Sequence, residues 1–296
     1  MKSKLKSFFK VFIKLAITLA ALGYVLTKIE VQQVLDTISQ TRPLYLSGAL
    51  MLFVLSKMLS SLRLNHYLDS IGIYISRKSN MKLYLLGMYY NLFLPGGIGG
   101  DGYKIYLLKK RFNASGRRIF WAIMMDRIIG VLALFCMAVL LFCFIPGMGT
   151  YAWFAWLLIP ISVAAGYVVF RRFFPYFLPV FRITNLQSLL VQLLQVLSAL
   201  FILFSLKETH DLESYLFVFL ISSMVAVLPL TIGGLGSREF TFMLGARWLE
   251  LDLHLSIALS LLFYLLTAFT SFWGLFYGIG PGLKLEEKEN SDESLK

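Results

Sequence analysis

Apolar residues fill this chain in blocks of helix size, separated by short polar clusters. Blocks cover roughly residues 8–27, 44–62, 119–145, 150–170, 183–206 and 255–280, each near the roughly twenty residues that a helix needs to cross a bilayer. Two further regions, roughly 83–111 and 214–250, are apolar but broken by glycine-rich motifs. The pattern predicts an all-α, polytopic membrane fold with about six full spans and two re-entrant or broken helical hairpins.

The charges between the blocks set an orientation, because basic residues collect on cytoplasmic loops. Lys2, Lys4, Lys6 and Lys10 place the N-terminus inside, and the nearly balanced segment from Lys28 to Arg42 lies outside. Arg63, Arg77, Lys78 and Lys82 are inside again. Lys104, Lys109, Lys110, Arg111, Arg117 and Arg118 follow the first glycine motif, so both flanks of that region are basic. Its first arm, Leu83–Leu94, reaches about 18 Å as a helix. LPGGIGG is therefore expected at the tip of a hairpin that enters from the cytoplasm and turns back near the midplane. Non-helical backbone at that depth has to be buried in protein or to line a wet cavity. The second broken region is flanked by Glu208, Asp211 and Glu213 before it and Glu250 and Asp252 after it, so both flanks are external. A re-entrant hairpin and two full crossings satisfy those charges equally well.

Gly96-Gly97-Ile98-Gly99 matches Gly233-Gly234-Leu235-Gly236, with a Leu-Pro just upstream each time. Around these motifs the transmembrane domain, residues 1–284, divides into halves of about 1–146 and 147–284, each with two helices, a broken hairpin and a third helix. Three crossings per half turn the second half upside down, which is an inverted repeat of the transporter kind. Residues 285–296 read as a polar, disordered tail on the cytoplasmic side. The N-terminus has the look of a signal peptide, with Ala21-Leu22-Gly23 as a cleavage site. Lys14 interrupts its apolar region and a multi-spanning protein follows, so an uncleaved first helix is expected.

Composition narrows the classes. Of 296 residues, 58% are hydrophobic and only 15% charged, more apolar surface than a soluble domain of this length can cover. The net charge of +12 follows from basic cytoplasmic loops and implies no nucleic-acid partner. Cys136 and Cys143 would sit about 10 Å apart along a helix, too far to bridge. His66, His210 and His254 are scattered, so neither metal nor other cofactor is expected. The glycines lack the G-x-G-x-x-G spacing and a Walker lysine, which argues against a nucleotide loop.

Glycines permit tight turns and close helix packing. Each tip also precedes a helix whose first N–H groups are free and, near the midplane, attract anions. Asp101 and Ser237 stand where those helices begin and read as N-caps. Asp101 is in addition a charge deep in the membrane, which marks function by default. Arg238 and Glu239 could pair with each other, with Asp101, or with a ligand. Asp126 and Arg127 are adjacent, cannot face each other on a helix, and need separate partners, although Arg127 could instead reach the interface. Asn185, Ser188, Gln192 and Gln195 form one stripe at helical spacing, either interhelical glue or cavity lining. With Ser56, Lys57, Ser60 and Arg63 they predict a wet cavity open toward the cytoplasm.

NLFLPGGIGGDGYKIYLLKKR (Asn91–Arg111), the Asp126-Arg127 pair and LPLTIGGLGSREF (Leu228–Phe240) together resemble the lysylphosphatidylglycerol synthase transmembrane-region family of flippase-like membrane proteins. In the synthases such a membrane part moves the aminoacylated lipid to the outer leaflet, while a separate cytoplasmic domain makes it. The tail KLEEKENSDESLK is too short for that domain, so no enzymatic activity is expected. The resemblance implies a head-group or ion site at Asn91, Pro95, Gly96, Gly97, Gly99, Gly100, Asp101, Asp126, Arg127, Pro229, Gly233, Gly234, Gly236, Arg238 and Glu239. Lys104 stands where an arginine is expected, and it binds phosphate as a point charge rather than a fork. The expected function is a lipid transporter of the bacterial plasma membrane, with both termini cytoplasmic and with lipids of anionic or zwitterionic head group as partners. With no ATP motif, transport would run downhill or be ion-coupled. The alternatives are a non-catalytic partner of a lipid or cell-envelope synthase, and a membrane-embedded transferase with Asp101, Asp126 or Glu239 as base.

Overall fold

The computed structural model describes residues 16, 19, 20, 22–28, 30–93, 99–228, 231, 233–278, 283 and 285–287. The fold is all-α, and five helical segments are long and apolar enough to cross a membrane: Pro43–Asp69, Gly116–Phe142, Trp153–Phe173, Pro175–Ser205 and Leu253–Tyr277. They correspond to five of the six expected spans; most of the first, residues 8–27, lies outside the described residues.

In chain order the helices are α1 (Val31–Ser39), α2 (Pro43–Asp69), α3 (Arg77–Phe93), α4 (Gly99–Phe112), α5 (Gly116–Phe142), α6 (Ala152–Phe173), α7 (Phe181–Ser205), α8 (Leu212–Val227), α9 (Ser237–Trp248) and α10 (Leu253–Phe272). Pro43 begins α2, where its missing N–H has no intrahelical partner to lose. The outward faces are apolar. Trp156 of α6 is 77% exposed and many of its neighbours also face outward, a surface that only lipid solvates well. The segment from Lys28 to Arg42, expected outside, contains α1. This helix of nine residues buries Val34 and packs against α10.

Two pairs of short helices interrupt the long ones. α3 and α4 have 17 and 14 residues, α8 and α9 have 16 and 12. At 1.5 Å per residue these reach about 18–26 Å, less than the roughly 30 Å hydrocarbon core. α3 packs against α4 and α8 against α9. Backbone contact explains why glycine is needed in the first pair: a β-carbon on Gly100 would overlap the carbonyl of Gly87 across the hairpin. Gly100→Ala is therefore expected to push the arms apart and destabilise the protein by about 1–3 kcal/mol. Thermal unfolding in detergent, unchanged for this variant, would contradict that close approach. In the second pair, Gly233, Gly234 and Gly236 have φ of +61°, +83° and +83°, a turn that a side chain resists. Leu94–Ile98 of the first tip, with Pro95, Gly96 and Gly97, and Pro229 of the second lie outside the described residues.

The packing is reciprocal. α3 lies against α10 and the 3-10 turn Trp273–Tyr277 that continues it, while α8 lies against α5. The first pair of short helices thus leans on α10 and the second on α5, and α2 and α7 pack extensively against each other. Where the hairpins meet, Gly233 sits against Leu92 at the end of α3.

The two ends of the bundle differ in charge. One end gathers Arg77, Lys78, Lys109, Lys110, Arg111, Arg117, Arg118, Arg171 and Arg172 around a core of Tyr67, Ile75, Leu108, Ile119 and Phe177. The opposite end, where the N–H of Arg42 bonds to the Ser205 carbonyl, carries Asp36, Glu208, Asp211, Glu213, Glu250 and Asp252. Residues 285–287, expected within a disordered tail, are held against the bundle. Leu285 is buried, Glu286 exchanges hydrogen bonds with Ser76 and Ser79, and Arg111 donates to the Leu285 carbonyl. Residues 288–296 lie outside the described residues.

Candidate functional site

The two pairs of short helices and the long helices line an open cavity of about 300 Å³. Its walls come from α2 (Lys57, Ser60, Arg63), α3 and α4 (Asn91, Asp101, Lys104), α5 (Asp126, Arg127), α7 (Gln192, Gln195) and the second hairpin (Ser223, Thr231, Gly233, Gly234, Arg238). Five cations and two carboxylates face one space. Burying even one charge inside a membrane is costly, so the arrangement has to balance most of them internally.

Two clusters do this. Arg63 Nε donates to Asp126 Oδ1 at 2.7 Å, and Arg63 Nη1 donates to Ser188 Oγ at 2.7 Å. Gly130 lies beside that guanidinium, and its carbonyl accepts from Gln192. The second cluster joins α4 to α5: Asp101 pairs with Arg127, and Lys104 Nζ lies 3.7 Å from its other oxygen. The Lys104 ammonium also sits over the Tyr84 ring, 4.3 Å from the centroid. Asp126 and Arg127 thus have the separate partners that their adjacency demands. Arg127 does not escape to the interface, because Asp101 holds it.

Asp101 lies in the first turn of α4 rather than at its N-cap, and Asn91 Oδ1 instead accepts from the Gly100 N–H at 2.8 Å. The cap of α9 is likewise Gly236 rather than Ser237, whose hydroxyl donates back to the Gly234 carbonyl at 2.9 Å. Glu239 is held elsewhere: it accepts from the Gly236 N–H at 2.7 Å and from Ser260 at 2.9 Å. A carboxylate in the first turn also complements the helix dipole.

The remaining two cations have aromatic company instead of a carboxylate among the described residues. Lys57 Nζ sits 4.5 Å from the Phe53 ring centre and the Arg238 guanidinium 5.3 Å from that of Phe263. Arg238 Nη1 is buried without a hydrogen-bond partner, and so is the hydroxyl of Ser223.

Of the site residues read from the sequence, the cavity wall unites Asn91, Asp101, Lys104, Asp126, Arg127, Gly233, Gly234 and Arg238. Gly99, Gly100, Gly236 and Glu239 shape the hairpins without lining it. Lys57 and Arg63 were visible as charges in an apolar run, which is signal enough to nominate them. Ser223, inside an apolar stretch, gives no such signal. The polar stripe of α7 serves both expected roles: Gln192 and Gln195 line the cavity while Ser188 holds Arg63 and Asn185 bonds its own helix.

Comparison with known proteins matches residues 11–276 to a family described as the lysylphosphatidylglycerol synthase TM region. No curated protein matches the chain.

Proposed function

The chain belongs to the lysylphosphatidylglycerol synthase transmembrane-region family, and on that premise we propose that it moves a polar-headed lipid between the leaflets of a bacterial plasma membrane. It acts as a transporter and makes no covalent change to its cargo. One observation carries the proposal: a cation-rich cavity lies where two broken hairpins meet, inside a bundle whose outer face is apolar. A head group can lodge there, shielded from hydrocarbon, while its acyl chains stay in lipid. At about 300 Å³ the space suits a head group rather than a whole lipid.

The reciprocal packing of each hairpin on the opposite half supports an inverted repeat, and the short arms support hairpins that re-enter rather than span. The uneven charge of the two ends supports a basic cytoplasmic end with both termini on that side. In a background without Cys136 and Cys143, single cysteines at Lys78 and Ser115 are expected to label only from the cytoplasm. Those at Thr209 and Asp252 should label only from outside. Opposite sidedness within either pair would mean a full span in place of a hairpin. Transport runs downhill or is driven by an ion. Lipid analysis resolved by leaflet, comparing a deletion strain with its parent, tests the function in the cell: one lipid class should accumulate in the leaflet where it is made. Identical leaflet compositions would contradict the proposal.

A further inference from the structure

Within that cavity the two cations without a carboxylate partner among the described residues, Lys57 and Arg238, share a support. The rings of Phe53 and Phe263 pack edge to face with centres 5.4 Å apart, Lys57 lies over the first and Arg238 over the second. Both rings are 1% exposed and belong to the main core, so the platform is rigid. A ring face attracts a cation without neutralising it. The platform therefore steadies two like charges beside each other and leaves both available. Ser223 and Arg238 both line this space, and Ser223 Oγ and Arg238 Nη1 have no hydrogen-bond partner among the described residues. The nearby carboxylates are engaged elsewhere, Asp126 by Arg63 and Asp101 by Arg127 and Lys104. Glu239 is bound to the Gly236 N–H and Ser260.

We propose that Lys57, Arg238 and Ser223 form an anion subsite that takes the phosphate of a lipid with net negative charge. The proposal rests on the transport reading of the same cavity and specifies its cargo. A phosphate diester carries one charge and two free oxygens, and these can accept from the Arg238 guanidinium, the ammonium and the hydroxyl together. A zwitterionic head group brings its own cation into a space that already holds five, with no free carboxylate among the described lining residues to receive it. The site therefore selects against choline or ethanolamine lipids by repulsion.

The test is a binding measurement on the full chain in neutral detergent, with short-chain probes. Dihexanoyl phosphatidylglycerol is expected to bind at least tenfold more tightly than dihexanoyl phosphatidylcholine, and also more tightly than inorganic phosphate. Lys57→Gln and Arg238→Gln should each weaken phosphatidylglycerol binding tenfold or more, with Ser223→Ala having a smaller effect. Equal affinity for the two lipids overturns the proposal without any variant. Affinity for inorganic phosphate as high as for phosphatidylglycerol would make a free anion the ligand and overturn it too. So would unchanged binding in both charge variants. Charge-selective binding without leaflet transfer would remove the transport reading and leave this site intact. Transfer without charge preference would do the reverse.

Discussion

Arg238→Gln is expected to cut lipid movement at least tenfold while leaving the protein as stable as before, or more so. Among the described residues the guanidinium is a buried charge with one nitrogen unbonded and the Phe263 ring beneath it. Removing an uncompensated charge relieves desolvation and strands no partner. The cargo loses a charged hydrogen bond worth about 1.5–3 kcal/mol, roughly ten- to a hundred-fold in affinity. Thermal unfolding and lipid transfer measured on the same preparation separate the two effects. A variant that is unstable, or one that transports normally, would contradict the assignment of Arg238 to the cargo.

Asp126→Leu should behave in the opposite way. Arg63 would keep its contact with Ser188 but lose its carboxylate, leaving a guanidinium buried between α2, α5 and α7. Stranding one member of a buried pair costs about 3–5 kcal/mol, so a large fall in unfolding temperature is expected. Replacing both members, as in the double variant Arg63→Met and Asp126→Leu, should recover most of that loss, since apolar residues of similar volume can substitute for a buried ion pair. Thermal unfolding in detergent decides it. If the single variant were as stable as the parent, or the double no better than the single, the pair would not be holding these helices together.

Much of the fold was legible because a bilayer imposes simple lengths. Runs of about twenty apolar residues marked the spans, and the glycine motifs marked where the pairs of short helices are interrupted. The length of α8 stayed ambiguous, since the apolar run extends through Val227 and Leu228 toward the glycine tip. The helix stops at Val227, and the backbone beyond it turns through glycines with positive φ. That same backbone put the cap at Gly236 and not at Ser237, because the tip geometry overrides side-chain preference.

The partners of the buried charges were less legible. Adjacency on a helix required separate partners for Asp126 and Arg127, but which ones depends on how α2, α4 and α5 pack. Asp101 pairs with Arg127 and Lys104, not with Arg238, because α4 leans on α5. The docking of residues 285–287 is made largely by backbone groups, which leave no pattern in side-chain identity.

The central claim is that this protein alone carries a polar lipid across the bilayer. Its most direct test is purified protein in liposomes containing phosphatidylglycerol with a fluorescent label on an acyl chain, quenched from outside by a membrane-impermeant reductant. About half the signal is protected when the label cannot change leaflet. With the protein present the protected fraction should fall toward zero, and Arg238→Gln should restore it. Protection that stays near half in vesicles shown to contain correctly folded protein would contradict the account.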